Sequence, residues 1–489
     1  MITINKQRFL TALLILVAAS GPAMAQAGKP RQDKKVSTLA DAKVYREAMV
    51  YFKKAEAMIG TPQENSNEQA ELFLKAIAIK PDFLEAHYDL GLIYANQKKW
   101  KEAVVEFETV LKLNPKIEGI HFLLASARQQ AGDISSAIAA LESGLQLKPQ
   151  DPKMLRALAY LQMHIKDDRA AMRTLEQFLD IEPGDSSARM DLALLLQKSE
   201  ELEKAATAYG EVLRADPVNY AAHFNLALIY IRQKNNAGAA KELEAAELIQ
   251  PGNPEVLERL GDVYAFERQH VKAAAAYKSA LEKAPDRGAI YAKMGFSLAS
   301  LKRNAEAVTA LENAGRLNPK NPDIFFLLGD LYSDLNRNDE AIAAYKKSLE
   351  IKSGQVDVRF NLGTLYAKLN RLEEALAELK LAVELDPGYS PAWANLALVA
   401  EKLEQDKEAI RAHEKLIELG KGRALNYFHL GVLYAKTGEP DPSIAAFTRA
   451  IEMEPEKYRA ALKEELKKVH SVLDIVRYKE SFTKLLASE

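Results

Sequence analysis

The chain has 489 residues, 48% of them hydrophobic, with 66 Lys and Arg against 68 Asp and Glu. It contains no cysteine, which excludes disulfides, thiolate metal sites and a lipid-anchored N-terminal cysteine. The net charge of −2 gives no global attraction to nucleic acid.

Residues 1–25 read as a targeting segment. Lys6 and Arg8 are its positive region, Phe9 to Ser20 is an apolar run too short for a stable span, and Gly21 and Pro22 break it. Ala23, Met24 and Ala25 have the small-x-small form of a cleavage site, so the mature chain is expected to begin at Gln26. An uncleaved anchor is the alternative. The expected location is the periplasm, reached through a Sec-type signal, or the exterior. Cleavage leaves 64 basic against 68 acidic residues, a net charge of −4. Residues 26–38 follow as a basic flexible tether, with Lys29, Arg31, Lys34 and Lys35 around Pro30. No later stretch is apolar enough to cross a membrane.

Residues 39–83 hold a degenerate hairpin. "EQAELFLKAIAIKP" has the pattern of a second helix, and "AKVYREAMVYFKKAEAMIG" matches a first helix poorly. From Leu84 the chain repeats every 34 residues without insertion for eleven segments: 84–117, 118–151, 152–185, 186–219, 220–253, 254–287, 288–321, 322–355, 356–389, 390–423 and 424–457. Position 8 is Gly or Ala in all eleven, from Gly91 to Gly431. Position 7 is Leu in ten, and position 20 is Ala in ten. Position 32 is proline in nine.

These constraints are mechanical. Apolar residues recur at helical spacing on both sides of a polar break, so each segment is a pair of amphipathic helices. Small residues at positions 8 and 20 let two helix axes approach to about 8–10 Å. Large residues at position 24 (Phe107, Tyr209, Tyr277, Tyr345, Phe447) fill the space beside them. Proline at position 32 ends the second helix at a constant place.

The pattern resembles the tetratricopeptide repeat family, whose signature is W-x2-L-G-x2-Y followed by Ala, Phe and Pro on a 34-residue period. "HYDLGLIY" (His87 to Tyr94), "FFLLGDLY" (Phe325 to Tyr332) and "YFHLGVLY" (Tyr427 to Tyr434) carry its first part. The resemblance covers 374 residues. It implies an all-α α-solenoid: a right-handed superhelix of helix-turn-helix repeats. The sequence adds a capping helix at 458–489, whose apolar stripe is Leu462, Leu466, Val469, Leu473 and Val476. Tryptophan stands at position 4 only once, at Trp393. Ser353 and Lys421 replace proline 32, and the second of these joints, Gly420 to Gly422, is expected to be the softest.

No phosphate-binding, nucleophile-elbow or metalloprotease motif is present. No catalytic residue, cofactor or metal site is therefore expected. His87, His121, His223 and His413 fall at scaffold positions and read as packed, whereas His164, His270, His429 and His470 show no carboxylate partnership in the sequence.

The resemblance places positions 2, 5, 9, 12 and 13 on a concave groove. Position 5 carries Tyr88, Phe122, Phe224, Phe326, Phe360 and Phe428, a broken aromatic stripe that either anchors a partner or completes packing. Glu255, Glu258 and Asp262, then Asp323, Asp330 and Asp334, form an acidic zone, and Lys368, Lys402 and Lys436 a basic one. Asn361 and Asn395 occupy position 6 of neighbouring repeats, where the family holds peptide backbone. The expectation is a non-enzymatic scaffold of the cell envelope that binds protein or peptide partners in its groove. The alternatives are an accessory subunit of extracellular polysaccharide assembly or export, and a non-catalytic subunit of an enzyme complex.

Overall fold

The computed structural model describes residues 39–117, 119–468, 483 and 485–487. The targeting segment, the tether, His470, and Val469, Leu473 and Val476 of the C-terminal stripe lie outside them. The described residues form helices and turns with no strand, and within each compact unit every helix packs against its neighbours in sequence. They fall into two compact units, 1–250 and 251–489.

The first unit starts with the helices Leu39–Glu56 and Asn67–Ile79, which close on a small aromatic core. The Phe52 ring lies 5.5 Å from that of Phe73 and 4.9 Å from that of Phe83. The 39–56 segment is therefore a true helix despite its poor match to the repeat pattern. Five helix pairs follow, from Leu84–Asn96 with Trp100–Leu113 to Tyr220–Arg232 with Asn236–Ile249. The second unit holds six pairs, from Pro254–Phe266 with His270–Lys283 to Ala424–Thr437 with Pro440–Met453. The helix Pro455–Lys468 follows, with Tyr458 and Leu462 buried in one cluster with Phe447 and Ile451.

Local chemistry sets the helix boundaries. The last residue of a segment often caps the next first helix: Asp151 accepts the backbone N–H of Lys153 and Met154, and Asp185, Asn219, Asn253 and Asn321 act likewise. The turn inside each pair uses a left-handed residue at position 15, at Lys98, Lys166, Glu200, Lys234, Arg268, Lys302, Asn336, Asn370 and Glu404, with glycine there only at Gly132 and Gly438. Lys98 N–H donates to Ala95 O and Lys99 N–H to Tyr94 O, the paired bonds of a Schellman ending. A non-glycine residue in that region costs about 1 kcal/mol. The turn is thus imposed by the packing of the helices it joins, and nothing in the residue types at position 15 announces it.

Position 8 and position 24 are coupled. A Cβ on Gly261 would lie 2.5 Å from the Tyr277 ring, and one on Gly91 2.5 Å from that of Phe107. Over glycine the tyrosine lies flat and its hydroxyl donates to position 9: Tyr277 to Asp262 at 2.8 Å, Tyr345 to Asp330 at 2.6 Å. Where position 9 is Leu194, which has no acceptor, Tyr209 donates instead to Gln197 at position 12, 2.9 Å away. Gly261→Ala is expected to destabilise the second unit by about 1–3 kcal/mol. Gly210→Ala, in a helix where an added Cβ meets nothing within 4 Å, should stabilise by roughly 0.5–1 kcal/mol. Urea denaturation followed by circular dichroism checks both signs.

Candidate functional site

The first helices of the repeats present the side chains expected to meet a partner. Along the first unit, Tyr88 and Phe122 at position 5 are half-buried against the core. Phe224 is only 1% exposed, and its ring stacks on Tyr220. Its expected place on a partner-binding stripe is corrected here: a ring buried to this degree offers a partner no surface. Arg156, also at position 5, reaches Asp191 of the next repeat at 2.8 Å.

In the second unit Phe326, Phe360 and Phe428 are half-buried. Phe326 lies 6.3 Å from the Tyr345 ring and Phe360 5.4 Å from Tyr389. Phe428 packs between Phe447 and Tyr458 at 5.4 and 5.3 Å. Position 5 is thus largely a packing position. The exposed aromatics of this face sit elsewhere in the same register, Phe266 at position 13 (73% exposed) and Phe296 at position 9 (56%). The His270 ring meets that of Phe296 edge-on, with centroids 6.4 Å apart. Positions 9 and 13 were already assigned to the partner face, so carrying the register beyond position 5 would have found both.

The charged zones are partly neutralised from within. Lys293 Nζ reaches Glu258 at 2.7 Å and Asp262 at 2.8 Å, and Arg287 adds a contact to Glu258. Burial opposes ionisation of Glu258, but these cations outweigh it and hold its carboxyl below the usual range. Asp330 accepts from both Tyr345 and Asn361, the latter at 2.9 Å, and burial dominates, raising its pKa. Asn361 and Asn395 each spend an amide proton on position 9 of the preceding repeat, Asn395 on Thr364 at 2.8 Å. Asp323, Asp334, Lys368, Lys402 and Lys436 are exposed.

A second polar system runs along the joints. At position 4, His87, His223, Arg189, Trp393 and Arg359 each contact the carbonyl at position 32 of the preceding segment. His87 and His223 also meet Glu106 and Glu242 at 2.5 and 2.6 Å. At the joint where Ser353 replaces proline, Gln355 Nε2 donates to Ser348 O and Lys352 O.

The joint at Gly420 to Gly422 departs from this pattern. Glu401, at the end of the helix Ser390–Lys402, accepts from His413 Nε2 at 2.7 Å through Oε1 and from His429 Nδ1 at 2.6 Å through Oε2. His413 lies on Asp406–Glu418 and His429 on Ala424–Thr437, and their rings stack at 5.4 Å. Burial alone would raise the Glu401 carboxyl, but the two imidazoles hold it down at about 2. No motif spacing points to this cluster: Glu401 precedes His413 by 12 residues and His429 by 28. His429 therefore does have a carboxylate partner, contrary to the expectation from sequence.

Models described as tetratricopeptide repeat match residues 84–117, 128–195, 190–254, 294–356, 334–401 and 424–457, together more than half of the chain. The chain belongs to the tetratricopeptide repeat family. Tetratricopeptide repeats bind protein partners and are generally non-catalytic scaffolds. A comparison with curated protein sequences gave no match. Among solved structures, the MamA protein is 25% identical over 35% of this chain and 93% of its own, with a TM-score of 0.32. The C-terminal part of a repeat-containing protein from Cytophaga hutchinsonii is 17% identical over 48% and 97%, with a TM-score of 0.42. PilF of Pseudomonas aeruginosa is 23% identical over 42% and 94%, with a TM-score of 0.35. No described helix of this tetratricopeptide repeat chain is long and apolar enough to cross a membrane.

Proposed function

We propose that the chain is an exported, non-enzymatic tetratricopeptide repeat scaffold of the cell envelope that takes a protein partner on the first-helix face of its second unit. The observation that carries this reading is the exposed pair Phe266 and Phe296 on that face. Two large rings left in water are the kind of residue that anchors a partner, since a few aromatics supply most of the binding energy of an interface. The exposed carboxylates Asp323 and Asp334 and the exposed Lys368, Lys402 and Lys436 of the same unit supply charge of both signs to orient an extended or helical peptide. The export half of the proposal rests on Lys6, Arg8, the Phe9 to Ser20 run and the Ala23 to Ala25 site.

Immobilised protein lacking residues 1–25 is expected to capture a defined set of envelope proteins. The double variant Phe266→Ala, Phe296→Ala should lose that set while melting like wild type. Capture that is unchanged in the double variant would end the claim for this face. N-terminal sequencing of protein purified from the envelope should begin at Gln26, and an intact Met1 would remove the cleavage claim.

A further inference from the structure

We propose that Glu401, His413 and His429 form a binding site for a divalent transition metal of the zinc class. The one carboxylate and two imidazole donor atoms lie within 4.8 Å of one another, brought together by three successive helices. Two histidines and a glutamate are a complete protein donor set for a zinc-class ion that keeps one position for water. Such an ion sits about 2.0–2.2 Å from each donor, so tetrahedral donors are about 3.4 Å apart. The two contacts to Glu401, now 2.7 and 2.6 Å, need only lengthen by a side-chain adjustment to admit it. The His413 side chain is 4% exposed, whereas those of Glu401 and His429 are 23% and 28% exposed, which leaves an entry path and a solvent-facing side for the water.

Asn426 tunes the site. Its Oδ1 accepts the backbone N–H of Arg423 at 2.8 Å, so its Nδ2 is the group that faces His413 Nδ1, at 3.2 Å. In this arrangement Nδ1 accepts, and the ring proton is on Nε2, donated to Glu401. Coordination through Nε2 moves that proton to Nδ1, where it meets an amide donor. Metal binding therefore works against Asn426. An aspartate there would keep an acceptor for Arg423 and offer its second oxygen to His413 Nδ1–H, the carboxylate–histidine pairing that strengthens metal ligands.

The consequence is a clamp. The three ligands span the joint at Gly420 to Gly422, where Lys421 stands in place of proline. A bound ion would tie the helix Ser390–Lys402 to Ala424–Thr437 across that joint.

The test uses the full mature chain without a polyhistidine tag, stripped by chelator and titrated calorimetrically with zinc chloride. One equivalent should bind, and hydrogen exchange across residues 416–426 should slow when it does. His429→Gln should weaken binding by at least roughly tenfold and abolish the slowing, with the circular dichroism spectrum unchanged. Asn426→Asp should tighten binding by roughly 10–100-fold. Absence of a bound equivalent overturns the proposal, as does an affinity that His429→Gln leaves intact. An Asn426→Asp variant that binds no more tightly overturns the assignment of His413 Nε2 as a ligand, and the three-donor site with it.

Discussion

Deleting Pro322 to Gln355, one complete repeat, is expected to leave a folded and shorter second unit, whereas deleting the 17 residues Pro322 to Asn338 should abolish the packing of everything around the cut. The whole-repeat deletion joins Asn321 to Val356, so the second helix Asn304–Leu317 meets the first helix Val356–Lys368, a neighbour of the same kind as the one it lost. Repeat proteins approximate a one-dimensional sum of unit and nearest-neighbour terms, so loss of one unit removes one unit's share. The half deletion instead sets two second helices in succession. Tyr345 would then lose Gly329, the glycine its ring lies against. Tyr345 would also lose Asp330, its hydroxyl acceptor. Circular dichroism melts decide it: a single shallow loss of stability for the 34-residue deletion, and a collapsed or non-cooperative melt for the 17-residue one. Similar melts for the two would show that the repeat is not the structural unit.

Phe224→Ala is expected to cost about 3–5 kcal/mol, because a fully covered ring leaves a cavity that packed helices cannot close. The same truncation at Phe296, 56% exposed, should change stability by less than about 0.5 kcal/mol. The sequence treats a phenylalanine at position 5 and one at position 9 as members of the same face. The structure separates them by burial. Phe326 and Phe360, half-buried against Tyr345 and Tyr389, should fall between the two. Chemical denaturation of the three classes of variant tests this order. A Phe296→Ala as destabilising as Phe224→Ala would show that the exposed patch is packing after all.

The sequence by itself determined the architecture. A strict 34-residue period, small residues at positions 8 and 20 and proline at position 32 dictate paired helices with a constant turn, because each acts within one segment or between adjacent ones and needs no distant partner. Tertiary structure alone decided which residues of the partner face reach solvent. Periodicity gives the direction of a side chain, and exposure depends on what packs around it: Phe224 is covered and Phe266 is not. Tertiary structure also decided which residue accepts from the position 24 tyrosine: Asp262 at position 9 for Tyr277, and Gln197 at position 12 for Tyr209, whose position 9 is Leu194 and offers no acceptor. The Glu401, His413 and His429 cluster depended on it most. Its members come from three helices and follow no motif spacing, and only the stacking of one repeat on the next brings a carboxylate between two imidazoles.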